Sequence, residues 1–118
     1  MIRDNKKYSP DEVLSKINTI SNFDGYNIKI LSLRYKIFKR SLKCINCGIK
    51  GQYFYKEKSH IKENYHFNLY ANKNGNEILM TKDHIIPLSK NGINHINNLD
   101  TMCTICNKRK DNKLTMIL

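Results

Sequence analysis

Two cysteine pairs constrain this chain more than any other feature of its sequence. Cys44 and Cys47 form one CxxC pair, and Cys103 and Cys106 form the second. A CxxC turn places two sulfur atoms on the same side of a tight loop, so two such turns can supply the four soft ligands of a tetrahedral zinc ion. Redox motifs, disulfides and buried thiols are the alternatives, but neither pair has the βαβ setting of a redox CxxC. We therefore expect a zinc site made of all four cysteines.

The expected zinc is structural. Four cysteine ligands leave no open coordination position for water, so the ion would hold the fold and do no chemistry. Gly48 directly follows the first pair and suits the positive φ that such turns often need. Any catalytic residues must therefore be found elsewhere in the chain.

The chain is strongly basic for its length of 118 residues, with 21 Lys and Arg against 10 Asp and Glu and a formal net charge of +11. This excess favours a polyanion as partner, because neutralised phosphates release counterions. No stretch approaches the roughly 18 apolar residues of a membrane span, and the first residues lack the apolar run of a secretory signal. We expect a cytoplasmic protein of a bacterial or phage-infected cell, with no membrane partner.

The residues ahead of the first cysteine pair are expected to be helical. Ser9, Pro10 and Glu12 form the capping box and first turn of a helix. Residues 28–42 alternate like a strand and also repeat at helical spacing, and of the two we favour the helix. Lysine and arginine side chains make the exposed side of this segment basic in either case.

Strand and turn patterns follow the first cysteine pair. Residues 66–84 predict a β-hairpin whose turn is Asn74-Gly75. Pro87 should end the second strand, because it has no N–H to give to the ladder. A short basic helix is expected to begin at about Asn107, where free N–H groups would favour a bound phosphate.

Residues suited to phosphate chemistry lie near the second cysteine pair. Asp83 offers a hard oxygen ligand for Mg²⁺ or Mn²⁺, and His84 offers an imidazole, which can accept a proton at neutral pH. Asn107 could place its amide oxygen on the same metal, and Lys110 shares a helix face with it. Adjacent residues of a regular strand point to opposite faces, so a site shared by Asp83 and His84 would need an irregular strand end.

The order of these motifs is highly specific, although the dipeptide Asp-His alone would mean little. The first CxxC is followed by DHIIPLSKNG at 83–92, NNLDTMC at 97–103 and CNKRK at 106–110. Over roughly residues 44–112 this order closely resembles the HNH (ββα-metal) endonucleases, particularly small phage and bacterial ones with a four-cysteine zinc site. The resemblance implies an α+β chain, with a small ββα-metal fold and structural zinc knuckles preceded by an N-terminal helical segment.

The resemblance also implies a division of the chain and a role for each motif residue. Residues 1–43 would be a helical, basic supporting segment, and residues 44–118 a zinc-stapled HNH nuclease core. In such enzymes the histidine at His84 is the general base, while the residues at Asp83 and Asn107 hold one divalent metal, Mg²⁺ or Mn²⁺. The third motif position is asparagine, Asn107, and not histidine; asparagine is common there in the family and preserves metal binding.

The middle motif residue is Asn98, with Asn97 as its close competitor. In the family this residue ties a loop so that the catalytic histidine is oriented. The resemblance implies hydrolysis of phosphodiester bonds in DNA, with 5′-phosphate and 3′-hydroxyl products. A phage nicking or homing-type enzyme is the role that this size and type suggest.

Basic side chains near the motif are expected to contact nucleic acid, namely Lys90, Lys108, Arg109 and Lys110. Double-stranded DNA is the expected partner and RNA stays open, as does the choice between a monomer that nicks and a homodimer that cuts both strands. The alternative function is a non-catalytic zinc-stabilised module that binds DNA or a partner protein. Such a module would have little reason to keep all four motif residues.

Overall fold

A five-stranded antiparallel sheet forms the centre of the computed structural model, which describes residues 1–110. The strands are β1 (Ile2–Tyr8), β2 (Ile20–Phe23), β3 (Tyr26–Lys29), β4 (Tyr53–Lys58), β5 (His66–Lys73), β6 (Asn76–His84) and β7 (Leu99–Cys103). The helices are α1 (Pro10–Leu14), α2 (Leu33–Arg40) and α3 (Thr104–Lys110). The sheet order is β1-β4-β5-β6-β7, and β2 and β3 pair separately. The predicted α+β class is confirmed.

Within residues 1–110, no helix combines the length and apolar character needed to cross a membrane.

The hairpin of β5 and β6 confirms the strongest local prediction. Asn74 and Gly75 have φ values of 54° and 84°, and positive φ at both central residues is typical of a type I′ turn. The side-chain oxygen of Asn72 accepts a hydrogen bond of 3.0 Å from the Gly75 N–H. This turn sets the register that carries β6 forward to Asp83 and His84.

Strand β6 is shared between two partners along its length. Its first part pairs with β5 up to Leu79, and its second part pairs with β7 from Met80 to His84. Strand β7 leads directly into α3 at Thr104. The two strands and the helix therefore form the ββα unit that the sequence predicted.

Apolar side chains from the sheet and the first two helices form the main core. The largest fully buried side chains include Phe38 of α2, Phe54 of β4 and Phe67 of β5. The rings of Phe54 and Phe67 meet edge to face at 5.9 Å between centroids, a favoured aromatic arrangement. Helix α2 confirms the helical interpretation for part of residues 28–42, while β3 takes their start. Burial of these rings holds α2 against the sheet that carries β6.

The N-terminal segment contains strands that its pattern did not indicate. The predicted capping box is confirmed, since Ser9 Oγ accepts from the Glu12 N–H at 3.1 Å and Glu12 Oε1 accepts from the Ser9 N–H at 3.0 Å. However, β1 adds an edge to the main sheet, where Arg3 donates to the buried Glu57 at 2.7 Å. The division into residues 1–43 and 44–118 stays a prediction, and residues 111–118 lie outside the described residues.

Candidate active site and metal centre

An open pocket of about 490 Å³ lies between the end of β6 and α3. It is lined by Asp83, His84, Pro87, Leu88, Ser89, Asn107, Lys108 and Lys110. The structure thus brings the predicted base and both predicted metal ligands to one pocket.

Asp83 and His84 reach this pocket from different sides. The register stays regular through Asp83↔Asp100 and His84↔Leu99, so the strand irregularity considered from the sequence is absent from β6. Their side chains leave the strand toward opposite faces. Both border the pocket because it opens where the strand ends, with Asp83 facing α3 and His84 facing the following loop.

The ring of His84 is held by a residue that the sequence did not single out. His84 Nε2 lies 3.2 Å from Asn94 Oδ1. An amide oxygen only accepts hydrogen bonds, so Nε2 carries the hydrogen of this bond. Nδ1 is then the ring nitrogen that is able to accept a proton. Asn94 lies in an exposed loop rich in asparagine, where the sequence offers no signal to select it.

Asn98 closes the loop after β6 from inside. Its Oδ1 accepts from the Ile86 N–H at 2.8 Å, and its Nδ2 donates to the carbonyls of Ile86 at 3.0 Å and Ile93 at 2.7 Å. Asn98 is buried whereas Asn97 is exposed. These contacts are the ones that a loop-tying residue requires.

Asn107 occupies a different position in its helix from the one expected. Helix α3 begins at Thr104, so Asn107 is its fourth residue and does not open it. The expected phosphate site at a helix start at Asn107 is therefore wrong, because β7 runs into the helix earlier than the basic residues suggest. Asn107 Nδ2 donates to Thr81 Oγ1 at 3.3 Å. With the nitrogen turned toward β6, the amide oxygen is the atom left for the pocket.

Lys110 lies on the predicted helix face but its charge is directed inward. The residue is 4% exposed, and its Nζ donates to Asp83 Oδ2 at 2.8 Å and to the His84 carbonyl. The ammonium group of Lys110 is therefore bonded to the end of β6, whereas the sequence had suggested that it contacts a phosphate. Lys90, Lys108 and Arg109 are exposed, as a contact with nucleic acid requires.

The four cysteines form a cluster positioned to hold a metal ion, as the sequence predicted. Their sulfur atoms all lie within 4.8 Å of one another, and the distance between Cys47 Sγ and Cys103 Sγ is 3.8 Å. Bonds of about 2.3 Å in a tetrahedron give sulfur separations of about 3.8 Å, so the cluster fits zinc. Gly48 has a φ of +80°, as its position after the first pair suggested.

The sulfur atoms differ in how readily they lose a proton. Burial raises the pKa of the Cys103 thiol to about 12. Burial also acts to raise the pKa of Cys44, but N–H groups of Cys103, Cys47 and Asn46 outweigh it and lower that pKa to about 7. A metal bound by all four sulfurs would therefore have to displace protons.

Arg40 of α2 connects the N-terminal segment to the loop that Asn98 closes. Its guanidinium donates to the Ile96 carbonyl at 3.1 Å and to the Leu99 carbonyl. The sequence placed Arg40 only on an exposed basic face, because a contact across 56 residues leaves no local signal. The contact holds the backbone on both sides of Asn98.

The comparisons with known proteins give one family. A family model described as HNH endonuclease matches residues 70–116, whose last part, 111–116, lies outside the described residues. The matched range contains the hairpin, the pocket residues and the second cysteine pair, whereas the first pair precedes it. No curated protein and no solved structure matches the chain.

Proposed function

We propose that this chain, whose residues 70–116 match a family model described as HNH endonuclease, is a metal-dependent endonuclease that hydrolyses phosphodiester bonds of DNA. The observation that carries the proposal is the pocket at the end of β6, where Asp83, His84 and Asn107 meet. The formal net charge of +11 supports a polyanionic substrate.

His84 acts as the general base in this proposal. With Nε2 held by Asn94 Oδ1, Nδ1 is placed to take a proton from the attacking water. Asn98 acts through the loop, because its amide fixes the backbone at Ile86 and Ile93 and so keeps the end of β6 in place. Attack of this water on phosphorus breaks the bond between phosphorus and the 3′ oxygen. The 3′ oxygen takes up a proton from solvent to become a 3′-hydroxyl, and the phosphate stays on the 5′ end.

Asp83 and Asn107 would hold one divalent metal. Carboxylate and amide oxygens are ligands that Mg²⁺ and Mn²⁺ accept, and both side chains border the same pocket. Lys110 engages Asp83 Oδ2, so Oδ1 is the oxygen left for the cation. A cation bound there would offset negative charge on the scissile phosphate and on the leaving 3′ oxygen.

The cysteine cluster holds a structural zinc in this proposal. Zinc suits four sulfurs at these separations, and it would tie the turn at Cys44 to the helix that carries Asn107. Four thiols without disulfides suit a reducing cytoplasm. A zinc held there would fix the position of α3, and a divalent metal at Asp83 and Asn107 would supply the charge stabilisation for hydrolysis.

Incubation of supercoiled plasmid with the purified protein and Mg²⁺ or Mn²⁺ tests the proposed function. We expect relaxed product if one strand is nicked and linear product if both strands are cut. Parallel reactions without added divalent metal should give neither, and labelled RNA and single-stranded DNA test the other polyanions. No product from any of these substrates would contradict the endonuclease and favour a zinc-stabilised module that only binds DNA.

The same substitution at two lysines of α3 separates a phosphate contact from an internal ion pair. A plot of log binding constant against log salt concentration has a negative slope. Lys108→Met is expected to make this slope shallower by about 0.9, because one fewer phosphate is neutralised. Lys110→Met should leave that slope unchanged and instead lower the free energy of unfolding by about 3 kcal/mol, since the partly buried Asp83 loses its partner.

Fluorescence anisotropy with labelled duplex over a range of salt concentrations measures the slope, and urea unfolding measures stability. A reduced salt slope for Lys110→Met with unchanged stability would mean that its ammonium faces the nucleic acid after all. The two positions lie two residues apart in one short helix, so helix propensity and side-chain length are matched.

A further inference from the structure

The loop after β6 exposes apolar side chains beside the pocket. Residues 85–93, which we call the apolar loop, carry Ile85, Ile86, Leu88 and Ile93, and all four are exposed. Leu88 is 57% exposed and Ile93 is 61% exposed. Four exposed apolar side chains within nine residues make this segment a candidate surface for another molecule.

The apolar loop is tightly built. The Pro87 carbonyl accepts from the Lys90 N–H at 2.9 Å and from the Gly92 N–H at 3.0 Å. Asn91 takes a left-handed φ of 65°, and a Cβ at Gly92 would overlap the Ile86 carbonyl oxygen. With the Asn98 amide bonded to the backbone at Ile86 and Ile93, the backbone of the loop is held in place, so little backbone entropy is lost when a partner covers it.

The position of Leu88 indicates which partner covers the loop. Leu88 lines the same pocket as His84 and Lys108, so a phosphodiester bound at His84 would lie beside it. A second copy of the chain or another protein seated on Leu88 would close the pocket to substrate. Exposed lysines, Lys90 in the loop and Lys108 on α3, favour an anionic partner at this point. The substrate itself is the occupant that satisfies these conditions.

We propose that the apolar loop enters a groove of double-stranded DNA and that Leu88 wedges between base pairs next to the scissile phosphodiester. This rests on the proposed function, since it assigns a substrate class to the same pocket. Leucine and isoleucine side chains act as wedges in groove-binding proteins, where partial unstacking bends the duplex. The bend would turn the adjacent backbone toward His84, and the apolar side chains would gain contact with base faces that water otherwise covers.

A plasmid topology experiment tests the wedge without cleavage. The His84→Ala protein, saturating a closed circular plasmid, is treated with a topoisomerase that needs no metal, and the topoisomers are resolved after the protein is removed. Wedging unwinds the duplex, so we expect a shift of the topoisomer distribution that grows with bound protein. Adding Leu88→Ser should reduce the shift per bound protein to less than half.

Exposed apolar residues away from the pocket provide matched controls. Leu31 lies before α2 and is 48% exposed, and Ile20 lies on β2 and is 60% exposed. We expect Leu31→Ser and Ile20→Ser to leave the topoisomer shift unchanged. Ile93→Ser, the counterpart of Ile20→Ser, should reduce it. No shift at saturation, or equal shifts from Leu88→Ser and Leu31→Ser, would overturn the wedge.

Plasmid cleavage in Mg²⁺ or Mn²⁺ separates failure of the wedge from failure of the proposed function. With His84 intact, we expect Leu88→Ser to cut about tenfold more slowly than the wild type, since the bent duplex is less populated. A wild type that cuts while Leu88→Ser cuts equally well overturns the wedge alone. A protein that shifts topoisomers but never cuts contradicts the endonuclease and supports the wedge.

Discussion

His84→Ala is expected to reduce the rate of DNA cleavage by about 10²–10⁴-fold, the contribution usual for a general base. DNA binding and stability should change little, because the His84 ring is hydrogen-bonded to the exposed Asn94. The contact that Lys110 makes at this residue is with the backbone carbonyl, which alanine keeps. Single-turnover cleavage of supercoiled plasmid measures the rate, and anisotropy with labelled duplex measures binding.

Two further substitutions show whether the loss of cleavage rate is specific to the His84 imidazole. Asn94→Ala removes the acceptor at Nε2 but keeps the base, so we expect a smaller loss of about tenfold. His60→Ala, at an exposed histidine in another loop, should cut like the wild type. If His84→Ala stays folded and cuts as fast as the wild type, His84 is not the general base.

Local signals predicted the parts of the fold that short-range geometry determines. The turn at Asn74-Gly75 requires positive φ at both positions, and the bonds between Ser9 and Glu12 span three residues. Strand β1 could not be predicted in this way. Its residues are mostly polar, and its pairing partner β4 lies about fifty residues further along the chain. Strand β1 pairs with an edge of β4 that is distant in sequence, so its own residues carry no local signal for the pairing.

In the candidate site, too, some features could be predicted from the sequence and others depend on long-range packing. The order of the motifs predicted that Asp83, His84 and Asn107 share one site, and the three residues do lie around one pocket. The direction of Lys110 could not be predicted from its spacing to Asn107. Spacing along a helix shows which residues share a face, but it does not show whether that face is directed to solvent or to β6. The orientation depends on how α3 packs against the sheet. We expect the docking to depend in turn on a metal held by the cysteine cluster, which includes Cys103 just before the helix and Cys106 within it.

Cys103→Ser is expected to abolish stable folding, which is a larger effect than loss of turnover. Structural zinc in zinc-finger peptides contributes about 10–16 kcal/mol of apparent binding free energy, which is comparable to the whole net stability of about 5–15 kcal/mol typical of a domain. Cys103 is buried and ends β7 just before α3. Without its sulfur, the metal would no longer fix the helix that carries Asn107 and Lys110. Circular dichroism and zinc content per chain measure the outcome.

Ile45→Ser, at an exposed residue inside the first CxxC turn, is the matched control and should keep one zinc and a folded chain. Removal of zinc from the wild type by a strong chelator should unfold it, and Mg²⁺ alone should not restore it, because hard cations bind thiolates poorly. Mg²⁺ should restore cleavage only to protein that still contains zinc. A folded, active protein without zinc would contradict the structural metal site, and with it the reason that α3 holds its place beside β6.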